Sequence, residues 1–213
     1  MNTGNKITLQ GVLQEGVGIG VKNLLSLVGA VVMWILTIWI PYINVGTTIA
    51  IFSIPIELSK GGVISPLFIF DAKYRQYMGE FFTLIGLMSI AIIPAMMFML
   101  VPGIIISIGW SLAIYLLLDK KLSPTQAMMK SNQATYGYKW TIFGVTFVLY
   151  IAFLLLSSLL GLLGVVGTIL IVIAYIFYMV IILGCNAVIY RDLTKDMDVD
   201  DETIVIVEET KVM

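Results

Sequence analysis

The chain has 213 residues, of which 60% are hydrophobic and 12% are charged, and its formal net charge is −1. Soluble domains carry about 25% charged residues, so this composition excludes an ordinary soluble fold. Histidine is absent and Cys185 is the single cysteine, which excludes a disulfide framework or a Cys/His metal site within one chain. Because no catalytic, metal or nucleotide-binding pattern is present, we expect no enzyme, no cofactor and no nucleic-acid partner.

All charged residues fall in four segments, 1–22, 57–80, 119–139 and 191–213, and the stretches between them have 34, 38 and 51 residues without charge. A charge at the centre of a bilayer costs several kcal/mol, and about 20 apolar residues span it as a helix. Each uncharged stretch therefore predicts a hairpin of two transmembrane helices. The predicted fold class is all-α, a polytopic membrane protein of about six transmembrane helices in three hairpins, with short interfacial helices.

The first hairpin is the shortest of the three. Each limb reaches only about 22 Å, whereas the hydrocarbon core is about 30 Å thick. We expect the returning limb, 44–56, to be the deficient one. Trp39 and Tyr42 near the tip suit an aromatic belt at a membrane interface, which favours a full crossing. A hairpin that stops short of the far side is the alternative.

Lysine and arginine occur only in the four charged segments, and the predicted hairpin tips contain none. By the positive-inside rule we predict a multi-pass protein of the cytoplasmic membrane with both termini cytosolic. A six-helix membrane domain, 1–193, would precede an acidic cytosolic tail, 194–213. The β-prone run at 203–207 in that tail suits a protein partner that accepts an added strand, and an unstructured solubilising tail is the other interpretation.

The chain also resembles itself when residues 65–87 are set beside 123–145. The identical pairs are Ser65/Ser123, Pro66/Pro124, Gly79/Gly137, Thr83/Thr141 and Gly86/Gly144. We predict three repeat units, 7–64, 65–122 and 123–193, each an interfacial helix followed by a hairpin. Chance alignment of glycine and proline in apolar sequence is the alternative.

Each Ser-Pro pair predicts a helix start, because serine caps the helix and proline is tolerated at its first position. In the helix after Pro66, Leu67, Phe70 and Tyr74 form an apolar stripe at helical spacing, typical of a helix lying in the headgroup region. In the helix after Pro124 the stripe is small and suits packing against another helix. Ordinary cytosolic connectors are the alternative for both.

Three groups of residues are candidates for function. Basic side chains on the predicted cytosolic face would contact anionic lipid headgroups or simply set the topology: Lys73, Arg75, Lys120, Lys121, Lys130, Lys139 and Arg191. Glu57 is either an intramembrane proton-binding carboxylate or an interfacial one, and Asn186 would bond across helices. Small residues would let helices approach closely within the chain or in a homo-oligomer: Gly46, Ala50, Gly103, Ser107, Ser111 and Gly161.

Residues 101–140, VPGIIISIGWSLAIYLLLDKKLSPTQAMMKSNQATYGYKW, start a span with Pro-Gly, end it with an aspartate and continue into a Ser-Pro helix. With the terminal YRDL, 190–193, they resemble bacterial integral membrane proteins similar to the membrane domain of glycerophosphoryl diester phosphodiesterases. The resemblance covers roughly residues 20–193. It implies a six-helix membrane domain and no activity, because the phosphodiesterase chemistry belongs to a separate soluble domain, and no functional residues carry over.

Two functions follow from these features. We expect a membrane scaffold that binds lipid or a partner through its interfacial helices and basic loops. A small transporter or channel built from repeated hairpins, with Glu57 in its path, is the alternative.

Overall fold

The computed structural model describes residues 7–62, 64–195 and 197, and this part of the chain is helical without any strand. Two short 3₁₀ helices, Pro66–Phe70 and Ala72–Tyr77, accompany nine α-helices. The α-helices are α1 Leu9–Lys22, α2 Leu24–Thr37, α3 Pro41–Ser59, α4 Met78–Phe98, α5 Leu100–Gly109, α6 Ala113–Lys120, α7 Pro124–Ala134, α8 Lys139–Gly161 and α9 Gly164–Thr194. The all-α prediction is confirmed. The acidic tail lies outside the described residues except for 194, 195 and 197.

Five stretches of the described chain are long and apolar enough to cross a membrane, as expected of a membrane protein. They are Pro41–Ser59, Ala72–Phe98, Leu100–Lys120, Lys139–Gly161 and Gly164–Thr194. α1 and α2 pass the same test only as a pair, and they are bent by 81° at the break between them. Six spans, three hairpins and three repeat units therefore remain predictions.

The packed core lies at one end of the molecule. In α4, α8 and α9 only 11% of the apolar window is buried, against 56% in α3. The buried part of α9 is mainly its second half, from Val180 to Thr194, where α1, α2 and α3 pack against it. The remaining lengths of α4, α8 and α9 expose apolar side chains, which suits contact with hydrocarbon rather than water.

The first hairpin differs from the sequence-based expectation in which limb is short. The outgoing limb, α2, has 14 residues, whereas the returning limb, α3, has 19. The chain breaks between α1 and α2 at Asn23, whose side-chain amide donates to the Ile19 carbonyl at 3.1 Å. The same carbonyl accepts the Asn23 backbone N–H at 3.2 Å, so the side chain adds a second bond that stabilises the helix terminus there. The prediction that 44–56 is the deficient limb was wrong because α3 begins earlier, at Pro41, and continues past the uncharged stretch to Ser59.

α2 and α3 pair antiparallel through polar side chains in an otherwise apolar interface. The Trp34 indole N–H donates to Thr48 Oγ1 at 3.0 Å, and the hydroxyls of Thr37 and Thr47 are hydrogen-bonded at 2.8 Å. Thr37 and Thr47 are buried, so these bonds remove the penalty of unpaired hydroxyls. They also set the register of the hairpin.

The prediction of one interfacial helix after Pro66 was wrong, because the structure has two short 3₁₀ helices there. Asp71 interrupts it with an extended backbone, and its carboxylate accepts the Lys73 backbone N–H at 3.0 Å. This local bond competes with helix continuation and lowers the pKa of the Asp71 carboxyl. Two 3₁₀ helices result, and their three-residue period does not maintain the stripe expected for an α-helix.

The helix predicted after Pro124 is confirmed. α7 begins at Pro124, and the Gln126 side-chain carbonyl accepts from both the backbone N–H and the hydroxyl of Ser123, at 3.2 and 3.0 Å. Ala127 and Ser131 are fully buried. The small stripe packs against α6, as its composition indicated.

Candidate functional site

Polar side chains from three helices meet around Asp119, in the last turn of α6. The Tyr190 hydroxyl, on α9, donates to Asp119 Oδ2 at 2.6 Å, and the Lys60 ammonium, at the end of α3, donates to Oδ1 at 2.5 Å. The Asp119 side chain retains only 12% exposure, whereas Lys60 is mostly open to solvent. The carboxylate therefore links helices that are far apart in sequence.

A polar cavity of about 150 Å³ lies beside this carboxylate. Its polar lining comes from α3, the second 3₁₀ helix and α6, and consists of Ser53, Glu57, Lys73, Tyr74, Gln76, Tyr77 and Asp119. Glu57 and Lys73 were separate candidates in the sequence, and the fold brings them together. Asp119 was not chosen as a site residue, although its position at the boundary of an uncharged stretch was a usable signal.

Of the two residues predicted as intramembrane polar sites, Glu57 lines the cavity and Asn186 does not. Glu57 is half-buried in the cavity wall, and within the described chain its carboxylate takes part in no hydrogen bond or ion pair. Asn186 is half-buried on α9, and its side chain makes no hydrogen bond to any described residue. The cross-helix bond expected of Asn186 is thus not observed in this part of the chain.

Arg191 is held by acids of its own chain. Its guanidinium donates through Nη1 and Nη2 to both Glu15 oxygens, at 2.5 and 2.9 Å, and through Nε to Asp192 at 2.8 Å. A two-pronged pair of this kind fixes the side chain more firmly than a single contact does. It ties α1 to the end of α9 and leaves Arg191 less available for a lipid phosphate.

The other predicted lipid-contact residues do not form a single patch. Lys73 lies 3.5 Å from the Asp71 carboxylate and 5.0 Å from the Tyr74 ring centroid. Arg75 extends along α3, with its guanidinium 5.9 Å from the Tyr42 ring centroid. Lys121 is exposed in a left-handed turn after α6, and Lys120 and Lys130 are partly exposed.

Lys139 stands at one end of an apolar groove between α5 and α8. The groove encloses about 330 Å³ and is lined by Val101, Ile104, Ile105, Ile108, Lys139, Trp140 and Phe143. The Lys139 ammonium donates to the Asn132 side-chain oxygen at 3.0 Å, and Trp140 is 86% exposed. The arrangement places one cation and one indole beside an otherwise apolar channel.

Only some of the residues predicted to allow close helix packing lie at close contacts. Gly46 and Ala50 are buried in α3, and a Cβ at Gly103 would lie 2.8 Å from the Met96 backbone nitrogen. Ser107 bonds back to the Ile104 carbonyl at 2.8 Å, and the buried Ser111 hydroxyl has no partner in the described chain. Gly161 has open space around it, so it packs against no other helix among the described residues.

Sequence reasoning missed the close contact between α1 and α9. Gly16 and Gly20 on α1 face Gly184 and Val180 on α9, and a Cβ at Gly16 would lie 2.7 Å from the Cys185 Cα. The signal was present, since Gly16 and Gly20 are four residues apart, the spacing that allows close approach. It was overlooked because these glycines precede the first uncharged stretch.

Among the described residues, no group of three or more acidic or cysteine side chains could hold a metal ion. No protein-family model matches the chain, and no curated protein or solved structure is significantly similar to it.

Proposed function

We propose that the protein is a non-enzymatic, multi-pass component of the cytoplasmic membrane, with both termini cytosolic, that binds anionic lipid and acts as a membrane scaffold. The observation that carries this proposal is the groove between α5 and α8 with Lys139 at its end. Its apolar walls suit a lipid acyl chain, because burying apolar surface is favourable. Lys139 suits the acidic headgroup, and Trp140 suits the interfacial region where headgroup and chain meet.

Both features of the groove are needed for selectivity. An apolar channel alone takes an acyl chain of any lipid, whereas a basic residue near the surface attracts anionic lipid by about 1 kcal/mol. The Asn132 amide, which accepts from Lys139, orients the ammonium without neutralising its charge. The charge of Lys139 therefore remains to attract an anion.

We expect Lys139→Gln to reduce retention of anionic phospholipid about fivefold, because about 1 kcal/mol of attraction is lost. Ile105→Trp should reduce retention of anionic and zwitterionic lipid alike, because it fills the groove. The measurement is mass spectrometry of lipid retained by protein purified from membranes of known composition. Lys121→Gln, an exposed lysine outside the groove lining, is the matched charge control. Equal loss in Lys121→Gln and Lys139→Gln would contradict the assignment.

A small transporter or channel is the second candidate, favoured by the cavity that Glu57 and Asp119 line. A half-buried carboxylate beside a polar cavity is a typical proton or cation site in such proteins. In proteoliposomes we expect proton or cation flux that Glu57→Gln abolishes if this function holds. Lack of flux in the unaltered protein would remove this candidate and leave the lipid-binding proposal intact.

The resemblance to the phosphodiesterase membrane domain, a cytosolic partner of the acidic tail and a homo-oligomer remain proposals of the same kind. The partner would be visible as a co-purifying protein, and the homo-oligomer as a defined mass of the particle in native lipid.

A further inference from the structure

α1 runs alongside the end of α9. The Glu15 carboxylate meets Arg191, Gly16 packs against Cys185, and Gly20 packs against Val180, so contacts progress along both helices in opposite directions. Glycine at these positions allows the backbones to touch. α1 therefore runs antiparallel to α9 from Val12 to Gly20, over about two turns.

α2 then turns away from this direction by 81°. α9 has 31 residues and reaches about 46 Å, so it is long enough to cross the hydrocarbon with modest tilt. A helix at nearly a right angle to α1 consequently lies close to the membrane plane when α9 crosses. α3 pairs antiparallel with α2 through Trp34–Thr48 and Thr37–Thr47, so it shares this orientation.

Charged residues flank α3 at both ends. Lys60 and Asp119 lie at its C-terminal end, whereas the Arg75 side chain packs at Gly46, where a Cβ would lie 2.9 Å from Arg75 Cγ. Gly46 and Lys60 are about 21 Å apart along the helix. In an upright α3 with Lys60 at one interface, the Arg75 stem at Gly46 would lie beyond the middle of the hydrocarbon, and its guanidinium, beside Tyr42, would lie toward the opposite face. A flat α3 keeps both cations at headgroup level.

The outer face of α2 has the character of an interfacial surface. Leu25, Leu36 and Trp39 are 88%, 67% and 88% exposed, whereas Leu27 and Ala30 on the other face are fully buried. Tyr42, at the start of α3, is 65% exposed beside Trp39. Apolar side chains with tryptophan and tyrosine at one end are typical of helices that lie in the boundary between headgroups and acyl chains.

We infer that the α2–α3 hairpin does not cross the membrane but lies along the leaflet on the side of the charged loops, with the outer face of α2 immersed in the headgroup boundary. Its partner is thus the lipid interface itself. The tip at Trp39 and Tyr42 lies on the same side as Lys121, and the tip of α8–α9 at Leu162 lies on the other. The inference holds whichever side is the cytosol and whether or not Lys139 selects anionic lipid.

Cysteine labelling in sealed vesicles tests this placement. The native chain gives the background, because Cys185 is its only cysteine and is 1% exposed. Tyr42→Cys, Lys121→Cys and Leu162→Cys are treated with a membrane-impermeant maleimide on each side in turn. We expect Tyr42→Cys to label from the same side as Lys121→Cys and Leu162→Cys from the opposite side. Trp39→Cys is the second tip variant if Tyr42→Cys fails to accumulate.

Two results would overturn the inference. Labelling of the tip variant from the same side as Leu162→Cys would show that the hairpin crosses. Labelling from neither side in intact vesicles, followed by labelling in detergent, would place the tip within the hydrocarbon.

Discussion

Gly184→Ala is expected to destabilise the protein by about 1 to 3 kcal/mol, the usual cost of extra volume in a closely packed interface. A Cβ at this position would overlap the carbonyl oxygen of Gly16 on α1. The neighbour is backbone and cannot rotate away, so α1 has to move off α9. That movement would also strain the Arg191–Glu15 pair, whose arginine lies about two turns farther along α9.

Gly86→Ala is the matched control, because it is the same change inside a long apolar helix, α4, with nothing within 4 Å of the new Cβ. Alanine favours helix by about 0.5 to 1 kcal/mol over glycine, so this variant should be neutral or slightly stabilised. Thermal unfolding in detergent, monitored by circular dichroism, measures the stability of both variants. Equal stability of the two variants would show that α1 and α9 do not touch as described.

Ser131→Ala is expected to cost about 2 kcal/mol, because one hydroxyl makes two bonds worth about 1 kcal/mol each. Its Oγ donates to the Gly109 carbonyl at 2.8 Å and accepts the Leu112 backbone N–H at 3.1 Å, and the residue is fully buried. These backbone groups lie where α5 ends before α6 begins, so they have lost helical partners. Removing the hydroxyl leaves the Leu112 N–H unsatisfied, whereas the Gly109 carbonyl keeps only the longer bond from the Thr135 hydroxyl, at 3.2 Å.

Ser157→Ala provides the control for that experiment. The Ser157 hydroxyl is buried and has no hydrogen-bond partner in the described chain, so its loss should change stability by less than about 0.5 kcal/mol. The same unfolding measurement compares the two serines. If Ser157→Ala is as damaging as Ser131→Ala, the loss reflects packing rather than the bonds at the break.

The sequence predicted best where one local rule acts alone. The start of α7 follows from the adjacent Ser123 and Pro124, and the structure has it at the expected position. The segment after Pro66 has the same Ser-Pro start, yet Asp71 divides it into two 3₁₀ helices. The difference arises because a single aspartate–backbone bond outweighs a weak amphipathic pattern.

The candidate site was only partly predictable. Glu57 stands out in the sequence as a charge at the border of an uncharged stretch, and Lys73 as a basic residue of the predicted cytosolic face. Nothing in their spacing brings them to one cavity with Asp119. That meeting depends on where α3 and α6 end relative to each other. Likewise Arg191 was assigned to lipid, and the fold gives it Glu15, which is 176 positions away.

By itself the sequence determined that the part of the chain the structure describes is helical and that several helices are long and apolar enough for a membrane, because helices satisfy their own backbone groups in hydrocarbon. Only the tertiary structure decided which charges pair, which glycines touch and how α2 is directed. These outcomes depend on contacts between distant segments, above all α1 against α9, and on the 81° turn that follows. Composition and spacing do not predict such contacts, because the same uncharged stretch can form a helix that crosses the membrane or one that lies along its surface.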